Sequence, residues 1–155
     1  MISIDYETVV PGFSKEEVRH GTFVRAHTGK VQFYVTNDGR ARIRKLNIRA
    51  VLESYVGQEK PLLFQWEDPQ VIEAIPSKGT ELIEFEFWPY FPGLVSVALY
   101  VTDATNKAIM MKRKTDSNYQ EAPIRWFFHV ADDISLETLR ALRKLVAGKG
   151  RRRSD

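Results

Sequence analysis

From Lys78 to Thr115 apolar and polar residues exchange places with a period of two, interrupted by turn-forming residues. Ile83, Phe85 and Phe87 alternate with Glu84 and Glu86, and Pro89 to Gly93 turns the chain. Val95, Val97, Leu99 and Val101 then run back with Ser96, Ala98, Tyr100 and Thr102 on the other parity, as far as the turn Asp103-Ala104-Thr105-Asn106. A period of two is that of a strand with one face in a core, because successive side chains leave the pleat in opposite directions. The same pattern recurs upstream in Ile2, Ile4 and Tyr6 and in Val31, Phe33 and Val35, and downstream in Ile124, Trp126, Phe128 and Val130, where Arg125 and His129 face outward. Short strands are also predicted at Pro61–Trp66, Val71–Pro76 and Ile109–Lys112. Thr22-Phe23-Val24 reads as extended, and Ser14-Lys15-Glu16-Glu17 as the cap of a single helical turn.

The turn Thr36-Asn37-Asp38-Gly39 predicts a hairpin that leads from the Val31–Val35 strand into a partner over Arg40–Glu53, since Asn, Asp and Gly tolerate positive φ. Leu46, Ile48, Ala50 and Leu52 share one face of that partner. Arg40, Arg42 and Arg44 hold the same parity as these core residues, so a bulge or twist is expected near Arg44. About eight such strands, with turn signals roughly every 8–12 residues, predict an all-β chain: an immunoglobulin-like antiparallel β-sandwich over residues 1–131. One helix follows at 132–148, with the stripe Leu136, Leu139, Leu142, Leu145 and Val146 and a stop at Gly148. Residues 149–155 are too poor in apolar side chains to order themselves.

Charge separates the body from its end. The chain is 155 residues long with a net charge of +3, yet residues 140–155 hold seven Lys or Arg against Asp155. The remaining 16 Lys/Arg and 19 Asp/Glu leave residues 1–139 at −3, so the basic balance belongs to the tail. Without cysteine the chain has no disulfide, thiolate metal site or thiol nucleophile. The first twenty residues carry Asp5, Glu7, Glu16 and Glu17 with no apolar block, and no window approaches the roughly 18 apolar residues of a membrane span. Taken as complete, the chain is expected in the cytoplasm; with a signal removed, it would be extracellular.

Several of these segments resemble a known pattern. Gly29 to Gly39, which ends in Thr36-Asn37-Asp38-Gly39, is similar to the strand and turn of the immunoglobulin-like adhesion modules of bacteria and archaea, of the CARDB or fibronectin-III-like kind. Ile75-Pro76-Ser77-Lys78-Gly79-Thr80, Phe85-Glu86-Phe87, Pro92-Gly93 and Val97 to Asp103 resemble the later strands of those modules. The resemblance spans roughly residues 29–112 and implies a sandwich that serves as spacer, adhesin, chaperone or enzyme accessory. It carries over no functional residue.

Candidate chemistry is sparse. His20, His27 and His129 follow no metal-ligand spacing, and scattered strand or surface histidines are the plainer reading. Glu84 and Glu86 share a face, where like charges would raise one pKa, but a Lys or Arg on the next strand would neutralise them. The chain has no nucleophile elbow, phosphate loop or dinucleotide fingerprint. Trp88, Tyr90 and Phe91 crowd a proline-rich turn, where they either plug the end of the sandwich or meet a partner. Arg40, Arg42 and Arg44, with Arg151, Arg152 and Arg153 of the tail, are candidate anion-binding residues; the strand arginines alternatively pair with acids of a neighbouring strand. These features predict a non-enzymatic module without cofactor or metal that binds another protein or itself. The alternative is an accessory that holds a polyanion or nucleic acid through its arginines.

Overall fold

The computed structural model describes residues 1–55, 62–66, 69–89, 92–132, 141 and 144, with backbone alone at 62–66. Ten strands follow in order: β1 (Ile2–Val9), β2 (Thr22–Val24), β3 (Gly29–Asn37), β4 (Leu46–Ser54), β5 (Leu62–Trp66), β6 (Gln70–Ile72), β7 (Thr80–Phe87), β8 (Gly93–Asp103), β9 (Met111–Arg113) and β10 (Ile124–Ala131). They form a four-stranded sheet ordered β7-β3-β1-β9 and a six-stranded sheet ordered β2-β10-β8-β4-β5, in which β6 also pairs with β4. The all-β sandwich expected from the alternation is what the chain builds.

The inward parity of each long strand supplies the core. Ile2 and Ile4 of β1, Val31, Phe33 and Val35 of β3, and Ile83, Phe85 and Phe87 of β7 meet Leu46, Ile48, Ala50 and Leu52 of β4, Val95, Val97, Leu99 and Val101 of β8, and Ile124, Trp126, Phe128 and Val130 of β10. Rings lock the two layers: Phe33 lies 5.2 Å from Trp126, and Tyr6 stands edge-on to Phe128 at 5.2 Å. Each fully buried large apolar side chain stabilises by about 1.5–3 kcal/mol. Gly29 is required where β3 starts, because a Cβ there would lie 2.4 Å from the buried Phe23 ring.

Four details differ from the sequence expectation. The turn at Asn37 does not make a hairpin: β3 belongs to the four-stranded sheet and β4 to the six-stranded one, so residues 38–45 cross between layers. The strand after that turn begins at Leu46 rather than Arg40, with only Ile43 bridged, to Ile75. The expected irregularity lies in this stretch, since both Ile43 and Leu46, three residues apart, contribute to the core. Not all pairing is antiparallel: β9 runs parallel to β1, and β2 parallel to β10, at the sheet margins. Ser96 and Ala98, placed outside by parity, are fully buried because β8 is flanked on both sides by β4 and β10. As expected, Ser14 and Glu17 cap a single turn: the Ser14 N–H donates to Glu17 Oε1 at 3.0 Å, the Glu17 N–H to Ser14 Oγ at 3.2 Å, and the Val18 N–H to the Ser14 carbonyl at 3.1 Å. Of the expected helix at 132–148, only Asp132, Ala141 and Lys144 are described, the last two helical and exposed; the tail 149–155 lies outside the described residues.

Candidate functional site

The described surface offers two unusual patches, at opposite ends of the sandwich. The first grows from the outer parity of β4, β8 and β10. Register places Glu53 beside Ser96 and Ser96 beside Phe127, while Val51, Ala98 and Arg125 form the next row. Small side chains at Ser96 and Ala98 let the flanking strands reach across β8: Arg125 Nε stands 3.3 Å from Glu53 Oε2, although the two residues lie on strands that do not touch. Hydrogen bonding to Glu53 is the main cause that raises the Arg125 pKa. Tyr55 adds its hydroxyl, 3.1 Å from Ser96 Oγ, and its ring, 5.8 Å from Phe127. Phe127, at the end of this row, stands 54% exposed, and Leu94, diagonal to it on β8 and opposite His129, 48%. Two large exposed apolar side chains beside a partly buried ion pair are suited to dock another surface, whereas a lone exposed leucine would mean little.

Trp88 lies at the same end, 41% exposed at the start of the crossing into β8, while Pro89 is buried with its carbonyl accepting from the Ala26 N–H at 2.9 Å. Tyr90 and Phe91 lie outside the described residues, so of the aromatic turn only Trp88 is placed. Leu94, Tyr55 and Phe127 are the residues that sequence reading missed. Phe127 carried a legible signal, being an aromatic at the outward parity between Arg125 and His129.

The second patch is the crossing at 38–45. Arg40, Arg42, Arg44 and Lys45 are all exposed. Arg42 and Arg44 flank the bridged Ile43 and, with Ala41, line an open hollow of about 680 Å³. Arg40 sits in the preceding bend and does not line it. The structure therefore joins two of the three strand arginines; Arg151, Arg152 and Arg153 are outside the described residues.

The remaining candidates disperse. His20 stacks on Tyr6 at 4.5 Å, His27 meets Phe13 edge-on at 5.2 Å, and His129 is exposed on β10. No group of three or more His, Asp or Glu among the described residues is placed to hold a metal. Glu84 and Glu86 are bridged by Lys30, 3.5 and 3.3 Å away on the neighbouring strand, the neutralised arrangement. That hydrogen bond with Glu86, ahead of the charge of Glu84, raises the Lys30 pKa. Among the described residues no helix is long and apolar enough to cross a membrane.

No family model matches the sequence, and no curated protein matches it. Among solved structures the chain is similar to the CARDB domain of a Pyrococcus furiosus protein, crystallised with di-metal ions, at 13% identity over 84% of this chain and 93% of that one, with a TM-score of 0.47. It is similar to a β-glucosidase from Listeria innocua at 11% identity, over 83% of this chain but 16% of that one, with a TM-score of 0.45. It is also similar to an alkylpurine DNA glycosylase from Pseudomonas fluorescens, at 10% identity over 84% of this chain and 30% of that one, with a TM-score of 0.47. At these identities and scores the likeness transfers no residue role.

Proposed function

We propose that this chain is a non-enzymatic interaction module that docks another protein, or a second copy of itself, through the outer face of its six-stranded sheet. The observation that carries this reading is the exposed pair Leu94 and Phe127, seated on the Tyr55–Ser96 and Arg125–Glu53 contacts. Large apolar groups on a rigid sheet lose little conformational entropy on binding, so their burial returns most of its hydrophobic gain. Trp88, 41% exposed, extends the docking surface at that end.

The experiment is affinity capture from the native cell with the intact chain and with Leu94→Ser/Phe127→Ser, alongside sedimentation of both proteins. A partner retained by the first and lost by the second supports the reading, as does a dimer that the double substitution dissociates. Equal capture by both proteins, with both monomeric, overturns it.

A further inference from the structure

We propose that the 38–45 crossing is a phosphate-binding hook that holds the phosphodiester backbone of a nucleic acid without reading its bases. Its four cations fall within six residues, Arg40 to Lys45, and all are exposed. No hydrogen bond or ion pair joins any of them to another described residue. Three cations on the neighbouring sheet faces are spent on local acids, Lys30 on Glu84 and Glu86, Arg113 on Asp116 and Arg125 on Glu53, while Lys15, Arg19 and Arg25 are exposed like the hook but do not cluster as it does. Two acids flank the hook in sequence and near the β6 register, Asp38 and Glu73, so four cations face two carboxylates. Asp38 accepts the hydroxyls of Ser3 and Tyr119 at 3.0 and 2.6 Å. Glu73, one residue beyond the Leu46–Ile72 pair of β4 and β6, is exposed.

The backbone beneath these side chains is fixed. The buried Asn37 amide donates to the carbonyls of Ala41 and Ile75 at 2.9 and 3.1 Å, and its oxygen accepts from the Gly39 N–H at 2.9 Å. Ser77 Oγ donates to the Gly39 carbonyl at 2.7 Å, and Ile43 and Ile75 exchange both backbone hydrogen bonds at 2.9 Å. The guanidinium groups are thus presented from a preset frame, and little backbone ordering is added to the cost of binding. Guanidinium forks match phosphate oxygens in bidentate fashion and stay charged at every working pH. Arg42 and Arg44, two residues apart, border an open hollow rather than a closed pocket, a shape that suits a charge repeated along a strand better than one isolated anion. Among the described residues the hollow has no aromatic lining on which bases could stack, so contact is to the backbone and indifferent to sequence.

The test measures anisotropy of labelled oligothymidylate and of a labelled duplex with the full chain, from about 50 to about 200 mM salt, a range over which phosphate contacts are strongly screened. Arg40→Gln/Arg42→Gln/Arg44→Gln is expected to weaken single-strand binding about tenfold at low salt and to flatten the slope of log K against log salt by about 2, at roughly 0.7 for each phosphate left without its cation. Its melting temperature should match that of the parent, because these side chains hold nothing. Arg151→Gln/Arg152→Gln/Arg153→Gln in the same assay separates hook from tail. Absence of binding at low salt, or loss with the tail variant alone, overturns the proposal. So does competition by polyglutamate equal to that of oligothymidylate at matched charge, which would assign the hook to acidic protein.

Discussion

Asn37 shows how one polar side chain is retained in an apolar interior. It is 1% exposed, yet its amide saturates two carbonyls and one N–H at the point where the chain leaves one sheet for the other. Asn37→Ala removes three hydrogen bonds, each worth about 0.5–1.5 kcal/mol, and urea denaturation should find the variant less stable by about 2–3 kcal/mol. A difference under about 0.5 kcal/mol would mean that the crossing does not depend on it. Three tyrosines define a second residue-level outcome. Tyr6 and Tyr34 are raised above 10.0 first by desolvation and then by Asp5 and Glu7 respectively; Tyr119 is raised first by donating to the Asp38 carboxylate. A phenol whose folded pKa exceeds its unfolded one stabilises fully below the unfolded value, and that contribution is lost as pH climbs through the folded value. Thermal melts should therefore fall in midpoint above pH 10, less steeply in Tyr6→Phe/Tyr34→Phe/Tyr119→Phe. Parallel decline of the two proteins would remove these hydroxyls from the account. Asp103 has the opposite sign: the Thr105 hydroxyl, then the Lys107 N–H, lower its pKa from 3.8, so its contribution is present above that value and lost as pH falls below it.

At the scale of elements, the Arg125–Glu53 pair couples β10 to β4 across β8. Glu53 keeps a side-chain exposure of 9% against 35% for Arg125, so the carboxylate needs its partner more than the guanidinium does. Arg125→Met should cost about 1–2 kcal/mol, and adding Glu53→Gln should recover part of it, because the second change removes the buried charge that the first left unpaired. A double-mutant cycle by urea denaturation reads the coupling; additive losses would show that the strands are held by backbone alone. This pair also marks the limit of what the sequence made legible. Ile83, Phe85 and Phe87, like Val95 to Val101, announced their strands and inward faces because alternation is local information. Which strands become neighbours is long-range information. The Asn37–Gly39 turn reads as a hairpin from its residue types, but whether the next strand returns in the same sheet depends on the Asn37 side chain finding Ile75, 38 residues away. The same blindness hid the Leu94–Phe127 patch, whose members come to one face only through the β8–β10 pairing, while the arginines of the crossing were visible because they are close in sequence.

For the whole molecule, the first strand holds the four-stranded sheet together. β1 is an interior strand, antiparallel to β3 over eight residues and parallel to β9, so its removal breaks both halves of the four-stranded sheet. It also takes away Ile2 and Ile4, which are 0% and 1% exposed. Two full aliphatic side chains are worth about 3–6 kcal/mol by transfer alone. That is a large part of the roughly 5–15 kcal/mol that holds a domain together, before the unpaired N–H and C=O groups of β3 are counted. Deletion of residues 1–9 should therefore abolish the cooperative thermal transition and expose apolar surface to a hydrophobic dye. Replacement of Arg151, Arg152 and Arg153 by Gln should leave the transition where it was. A shortened chain that still melts cooperatively would show that β3 can serve as a sheet edge, and that the order β7-β3-β1-β9 is not needed to hold the two layers together.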